Sequence, residues 1–187
     1  MNKIAAALVA IIACFSHPAA CEEQASVVGT TLYLSGEINN NLINKVNALR
    51  LTGITSVAIT SHGGSVDTGI AISKFIQKFH MSVIVDDYCE SACTIILAAG
   101  KERIGFSTAK FLIHGALGSG DAFAEKGDSV ATPDVIKANN LMRGLYVDAG
   151  MNPYFVDWAV QTPRKNHEKM LSASEAMSVG LLTKVIN

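Results

Sequence analysis

The residues best suited to chemistry are a serine, a histidine and a pair of glycines. Ser91 lies in DDYCESACTIILAAG, His114 in FLIHG, and Gly63 and Gly64 in SHGGS, and all three segments border predicted strands. A serine hydroxyl becomes a good nucleophile when a nearby base takes its proton, and histidine is the usual base. A helix N-terminus and a glycine turn can each direct a backbone N–H at a developing oxyanion. These residue types together indicate a serine hydrolase site.

A purely structural interpretation of the same residues stays open at this point. Ser91 would then only cap the helix that follows it, and His114 would be a core histidine with satisfied hydrogen bonds. The double glycine does not decide the matter, because turns use glycine constantly. If the site is catalytic, the amide of one glycine and that of Ala92 are the two oxyanion donors that the pattern indicates.

Cys89 and Cys93 flank Ser91 and allow several interpretations. A zinc site needs about four ligands, and no second Cys or His pair with ligand spacing occurs in the sequence. A redox dithiol usually reads CxxC, whereas this pair reads CxxxC. A disulfide between positions i and i+4 is geometrically possible where a strand turns into a helix, and two small buried thiols are the alternative. Either arrangement would brace the turn that carries Ser91.

These segments require a scaffold of alternating strands and helices, and the hydrophobic pattern predicts one. Apolar and polar residues alternate in 27–36, and SVAIT and MSVIVDD are apolar, β-branched runs typical of buried strands. Helical spacing follows in 66–79, and a helix over Ser91–Ala99 is expected to end at Gly100. Strands that alternate with helices predict an α/β fold with a largely parallel sheet and flanking helices. Loops at the carboxyl ends of parallel strands converge, so such loops build sites.

The second half of the chain is predicted to be mostly helical, with LLTKVI as a closing strand. Helix starts are indicated where a capping residue precedes proline, or where a capping box occurs. These starts are Thr132-Pro133, Asn152-Pro153 and Ser172-x-x-Glu175. Lys101 and Arg103, just after the Ser91 helix, are expected on the surface or at a subunit contact.

The first residues have the layout of a secretory signal. Lys3 precedes an apolar stretch from Ile4 to Phe15, and small residues follow up to Cys21. The apolar stretch is shorter than the roughly 20 residues of a transmembrane helix. The segment 1–21 is therefore predicted to be a signal peptide.

Residues 22–187 are then long enough to form one domain with its own core. The whole chain has 15 basic and 16 acidic residues, a net charge of −1, and no basic stripe, so nucleic acid is not an expected partner. We expect an exported, periplasmic protein. The alternative is a membrane-anchored lipoprotein with its lipid on Cys14, because IIAC is similar to a lipoprotein box.

Four stretches together resemble a known family: ITSHGGSVDTGIAISKFI, VIVDDYCESACTIILAAGKER, AKFLIHGALGSG and MLSASEAMSVGLLTKVI. They are similar to the proteolytic subunit of Clp protease (ClpP) and its wider ClpP/crotonase superfamily, from about Leu32 to Ile186. The CxSAC form looks most like the exported ClpP-like proteins of bacteria. The resemblance implies a single-domain β-α-β superhelix with a largely parallel sheet and flanking helices.

The resemblance also implies a role for each matching residue. Ser91 matches the nucleophile, and His114 matches the general base that later protonates the leaving amine. Gly64 and Ala92 match the oxyanion donors. Glu168 stands where the family has the aspartate that orients the histidine.

The third member of the triad departs from the family, because the glutamate has one methylene more than the aspartate and a different reach. His167, Asn166 and Asp157 are possible substitutes, and a Ser–His dyad is a further possibility. His62 replaces the family's proline before the double glycine and is expected to be an exposed turn histidine.

An extended peptide would bind by strand addition, as in the family, along two backbone edges. The residues of these edges are Gly63, Ser65, Val66, Gly115, Ala116 and Leu117. We expect an ATP-independent endopeptidase that acts through an acyl-enzyme on Ser91, forms a homo-oligomer and needs neither a cofactor nor a metal. No ATP-driven unfoldase is expected as a partner, because an exported protein meets no ATP. The alternative is a catalytically inactive protein that keeps the fold for binding or scaffolding.

Overall fold

A computed structural model describes residues 22–117, 132–160 and 168–187. The predicted signal segment 1–21, with Cys14, lies outside the described residues, as do Asn166 and His167. Within the described ranges, no helix combines the length and the apolar character that a membrane span requires.

The described residues form short strands and helices that alternate along most of the chain. The strands are β1 Gln24–Val28, β2 Thr31–Ser35, β3 Ser56–Thr60, β4 Ser82–Val85, β5 Tyr88–Glu90, β6 Arg103–Phe106, β7 Lys110–Ile113, β8 Lys169–Ser172 and β9 Lys184–Ile186. The helices are α1 Asn40–Asn47, α2 Val66–Lys78, α3 Ala92–Ala98, α4 Pro133–Asp148, α5 Pro153–Ala159 and α6 Ala173–Ser178.

The strands form two sheets. The larger has the order β1-β2-β3-β4-β6-β9, and its neighbouring strands are parallel except for β1 and β2. The smaller has the order β5-β7-β8, in which β5 and β7 are parallel and β8 is antiparallel. The predicted fold class, a single α/β domain with a largely parallel sheet and flanking helices, is confirmed.

The segment 27–36 is not the single strand that its alternation predicts. It contains the end of β1 and all of β2, which pair antiparallel as a hairpin. Gly29 adopts φ +60° at the turn between them, a conformation that glycine reaches without the steric cost of a Cβ. The alternating pattern is correct on both sides of the turn, but it does not indicate that the chain reverses its direction there.

Helix α3 is the most enclosed helix near the candidate site. All of its residues, Ala92–Ala98, are buried, as expected for a helix in which every residue except Thr94 is apolar. The predicted caps also occur: the side chains of Thr132, Asn152 and Ser172 accept hydrogen bonds from the first turns of α4, α5 and α6.

Arg103 is buried, with 9% of its surface exposed, so the expectation of a surface position is wrong. Its Nε donates to the carbonyl of Leu181 at 2.9 Å, and its Nη2 donates to the carbonyl of Gly180 at 3.2 Å. These bonds satisfy the guanidinium inside the protein and tie β6 to the segment between α6 and β9.

We expect Arg103→Met to lower the free energy of unfolding by about 2 to 3 kcal/mol, because two carbonyls lose hydrogen bonds to a charged donor. Urea denaturation measures the change. Arg50→Met is the matched control, since Arg50 is exposed and its replacement should change stability by about 0.5 kcal/mol or less. Equal effects of the two substitutions would contradict a structural role for the Arg103 bonds.

Candidate active site

Ser91 lies in a tight turn between the end of β5 and the start of α3. Its backbone has φ +53° and ψ −125°, a region that residues with a Cβ rarely adopt. Its N–H donates to the carbonyl of Leu112 on β7 at 2.8 Å, which anchors the turn to the neighbouring strand. The side chain makes no capping hydrogen bond to α3, so the structure does not support the helix-capping interpretation.

The small sheet brings Ser91, His114 and Glu168 to one edge. Strands β5 and β7 are parallel, with Glu90 opposite Leu112, so Ser91 and His114 follow the ends of adjacent strands. Strand β8 is antiparallel to β7, with Lys169 opposite Ile113, so Glu168 precedes β8 at the same edge. Since neighbouring strands lie about 4.8 Å apart, the three residues are neighbours across the sheet in the order serine, histidine, glutamate.

The Nδ1 atom of His114 faces a backbone carbonyl, which can only accept a hydrogen bond. Nδ1 donates to the carbonyl of Gly115 at 2.7 Å, and the histidine is buried. A proton on Nδ1 leaves the lone pair of the neutral ring on Nε2, the nitrogen that can accept a proton from a hydroxyl. Glu168 is exposed at the start of β8, and the Nδ1 proton is held by a backbone carbonyl.

Asp157, one of the alternatives for the third member, is engaged elsewhere. Its carboxylate accepts hydrogen bonds from Nε and Nη2 of Arg143, so that α5 is joined to α4. The hydrogen bond from Arg143 lowers the pKa of Asp157.

The double glycine packs directly against the Ser91 turn. Gly63 has φ +101°, and a Cβ on it would lie 2.6 Å from the Ser91 Cβ and 3.1 Å from the Ala92 nitrogen. A side chain at this position would therefore displace the Ser91 turn.

The two backbone amides predicted as oxyanion donors, those of Gly64 and Ala92, lie where the glycine turn meets the Ser91 turn. In the glycine turn, Gly63 N–H donates to Ser61 Oγ at 3.0 Å and Ser65 N–H donates to Ile38 O at 2.7 Å. Gly64 N–H, between them, has no acceptor among the described residues. Ala92 N–H belongs to the first residue of α3, where helix amides lack an intrahelical acceptor. The two amides predicted as oxyanion donors are thus available to an external acceptor.

The proposed peptide-binding edges are partly engaged within the protein. Ser65 caps α2 by accepting a hydrogen bond from Thr68 N–H, and Val66 is the first residue of that helix. On the other edge, Ala116 N–H donates to Asn139 Oδ1 of α4 at 2.7 Å. Leu117 is the last residue described before the gap at 118–131.

Sequence reasoning missed Ser61, which organises the glycine turn. Its side chain is buried, donates from Oγ to the carbonyl of Gly36, and accepts from Gly63 N–H. A serine before a glycine pair carries no distinctive signal, because the pattern does not show where its hydroxyl points.

His62 is exposed, as expected, but it is not without contacts. Its ring stacks on Tyr88 with centroids 4.0 Å apart, and its Nδ1 lies 2.9 Å from Glu90 Oε2. The contact joins the residue before the double glycine to the residue before Ser91, which adds a second link between the two turns.

The Sγ atoms of Cys89 and Cys93 lie 2.03 Å apart as a disulfide, with the Cα atoms 5.2 Å apart. Both residues are fully buried. The bond closes around Ser91, from β5 to the first turn of α3. Within the described ranges, no group of three or more His, Cys, Asp or Glu side chains is arranged to hold a metal ion.

The fold defines an α/β protein whose adjacent strand ends carry a serine and a histidine. Residues 27–187 match the model of the family described as Clp protease, and the chain belongs to this family. A relative is the ATP-dependent Clp protease proteolytic subunit 3 of Synechococcus sp. (strain CC9902), 27% identical over 172 residues, which cover 83% of this chain and 82% of the relative.

Solved structures show the same fold. ClpP1 from Listeria monocytogenes is 24% identical with a TM-score of 0.67, and the match covers 84% of this chain and 91% of that chain. The ClpP protease catalytic domain from Plasmodium falciparum is 20% identical with a TM-score of 0.65, and the match covers 84% and 85% of the two chains. At these identities the likeness establishes the fold, and the ClpP-like resemblance seen in the sequence is confirmed.

We expect Gly63→Ala to destabilise the protein much more than Gly53→Ala. Both glycines have positive φ, but a Cβ on Gly53 would have no atom within 4 Å, whereas one on Gly63 would collide with Ser91. Gly53→Ala should therefore cost only the backbone term, about 1 to 2 kcal/mol, and Gly63→Ala that term plus a clash. Urea denaturation of both variants measures the difference. Equal losses of stability in the two variants would mean that the Ser91 turn moves to make room for the Cβ at no cost in free energy.

The disulfide leads to a further prediction for the purified protein. After unfolding without reductant, we expect no titratable thiol at Cys89 or Cys93, as mapped by alkylation and mass spectrometry. Reduction before alkylation is the control and should label both. The short loop implies a stabilisation of about 2 kcal/mol. Two free thiols in the unreduced sample would refute the bond.

Proposed function

We propose that this protein is an exported, ATP-independent serine endopeptidase. The observation that carries the proposal is the strained turn at Ser91, next to a histidine whose Nε2 has the lone pair. A positive φ at a residue with a Cβ is costly and is typical of functional positions. A serine that only capped a helix would not need this conformation.

The proposed reaction proceeds through an acyl-enzyme. Ser91 Oγ attacks the peptide carbonyl while its proton moves to His114 Nε2, and the carbonyl oxygen becomes an oxyanion between Gly64 N–H and Ala92 N–H. The intermediate collapses when the protonated His114 gives its proton to the leaving amine, which departs and leaves the acyl group on Oγ. Water then attacks with His114 as base, and the acid product leaves as the proton returns to Ser91.

Glu168 is the proposed third member. Its place opposite His114 across β7 and β8 supports a role near the imidazolium that forms during catalysis. The contact of Nδ1 with the Gly115 carbonyl favours the Nδ1–H tautomer, so we assign Glu168 to charge stabilisation and not to the choice of tautomer.

The segment after β7 is the better of the two edges for strand addition. In an extended segment successive N–H groups point to opposite sides. Because Ala116 N–H points to Asn139, Gly115 and Leu117 would present their N–H groups to a peptide on the other side. We propose that the edge at Gly63, Ser65 and Val66 contributes mainly through Gly63 and the adjacent amide of Gly64.

Proteins of this family form oligomers and act on peptides, and we extend both properties to this chain. Helix α4 presents Ile136 and Leu141 with about half of each side chain exposed (47% and 49%), which supports a homo-oligomer. Export, with a lipid anchor on Cys14 as the alternative, rests on the signal-like sequence of residues 1–21. Without access to ATP, processive degradation by an unfoldase does not apply.

The test is covalent labelling of the purified mature protein with a fluorophosphonate probe. We expect labelling of the wild type, none of Ser91→Ala, and a fall of about 10³-fold or more in the labelling rate of His114→Asn, because the serine loses its base. Glu168→Gln should label more slowly than the wild type but faster than His114→Asn.

Matched controls keep the result specific. Ser107→Ala and His80→Asn replace exposed residues outside the proposed site: Ser107 precedes the start of β7, whereas His114 follows its other end. Asparagine tolerates the positive φ of His80. Both should label at the wild-type rate. Labelling that persists in Ser91→Ala, or a folded oligomeric wild type that never labels, would reject the hydrolase and favour the binding or scaffolding alternative.

A further inference from the structure

Two buried side chains outside the proposed triad connect helix α4 to the Ser91 turn. The Tyr146 hydroxyl lies 2.7 Å from Thr94 Oγ1, and Thr94 Oγ1 donates to the Ser91 carbonyl at 2.7 Å. Both residues are fully buried, with 0% of their surface exposed. The Ser91 carbonyl also accepts from Thr94 N–H at 2.9 Å, so two donors of one residue hold it.

The direction of these bonds follows from the number of protons. Thr94 has one hydroxyl proton, which it gives to the Ser91 carbonyl. Its Oγ1 must therefore be the acceptor in the contact with Tyr146, and the tyrosine is the donor. Burial raises the pKa of Tyr146, which keeps the phenol protonated. The chain of bonds runs from Tyr146 through Thr94 to the carbonyl of Ser91.

The carbonyl that receives these bonds belongs to the same peptide group as the Ala92 N–H. A trans peptide is planar, and its C=O and N–H point in opposite directions. Fixing the Ser91 oxygen on the inner side therefore fixes the direction of the Ala92 N–H on the other side. Hydrogen bonds to the oxygen also polarise the peptide group and strengthen the N–H as a donor.

We propose that Thr94 and Tyr146 are positioning residues that aim and polarise the Ala92 N–H as an oxyanion donor. This inference rests on the proposed function, since it assigns a purpose to one part of the same site. Neither side chain touches the reacting atoms; both act through the Ser91–Ala92 peptide. A generic packing role would not require a hydroxyl on each residue.

The experiment compares the double variant Thr94→Val/Tyr146→Phe with the wild type in fluorophosphonate labelling at a series of probe concentrations. Removing both partners leaves no buried hydroxyl unsatisfied, so the fold should stay close to wild-type stability. We expect the maximal labelling rate to fall about tenfold, less than the roughly 10²-fold or greater loss of an entire oxyanion donor. The half-saturating probe concentration should not change, because the oxyanion forms only as the reaction proceeds.

Two further variants separate positioning from stability. Thr94→Ser keeps the hydroxyl but removes a methyl group from the core, so it should lose stability and keep the wild-type labelling rate. Ser73→Ala removes another buried hydroxyl bond, from Ser73 Oγ to the Ile70 carbonyl in α2. It should also label at the wild-type rate.

The outcomes are distinct. A wild type that labels at Ser91 together with a double variant that labels equally fast overturns this inference and leaves the hydrolase proposal intact. A loss of rate that follows melting temperature across the double variant, Thr94→Ser and Ser73→Ala also overturns it. A wild type that does not label rejects the proposed function, and this inference with it.

Discussion

The backbone conformation of Ser91 is the constraint on which the surrounding structure depends. A residue with a Cβ at φ +53° costs on the order of 1 to 3 kcal/mol. Three hydrogen bonds oppose this cost: one from the Ser91 N–H to Leu112, and two from Thr94 to the Ser91 carbonyl. At about 1 kcal/mol each, they are of the same size as the strain. The turn therefore persists because its neighbours fix both backbone groups of one residue.

The same constraint explains features that look unrelated in the sequence. Gly63 must lack a side chain because its Cβ position is occupied by the Ser91 turn. Cys89 and Cys93 are joined around the turn, and α3 is buried from its first residue. Each feature restricts the movement of the turn. Two strands, a helix and a glycine loop therefore together hold Ser91 in its strained conformation.

The fold could be predicted largely from the sequence, because alternation of apolar strands and amphipathic helices specifies an α/β class. The helix starts at Thr132, Asn152 and Ser172 were also predictable, since a cap acts within one turn of its own residue. The hairpin at Gly29 and the three-residue strand β5 were not predictable, because a hydrophobic period cannot be recognised in so few residues. Burial of Arg103 depends on carbonyls almost 80 positions away, and local spacing contains no such information.

The residues of the candidate site also divide into those that could be predicted from the sequence and those that could not. Ser91, His114 and Gly64 could be selected because each stands at a strand end, where side chains converge. Thr94 and Tyr146 could not be selected from the sequence. A threonine in the apolar helix α3 and a tyrosine in α4, far along the chain, both look like ordinary core residues. Their contact becomes apparent only when α4 packs on α3 and brings the two hydroxyls to 2.7 Å.

The contacts of His114 determine what a carboxylate would add to this site. In a serine–histidine–acid triad the acid fixes the tautomer and stabilises the imidazolium. Here Nδ1 of His114 faces the Gly115 carbonyl at 2.7 Å, and this uncharged acceptor favours the tautomer with the proton on Nδ1. A carbonyl offers only a dipole to the imidazolium, whereas a carboxylate offers a full negative charge. Solvent around an exposed carboxylate weakens the attraction between the two charges. In the proposed mechanism, Glu168 therefore stabilises the His114 imidazolium most when a bound substrate shields this edge from water.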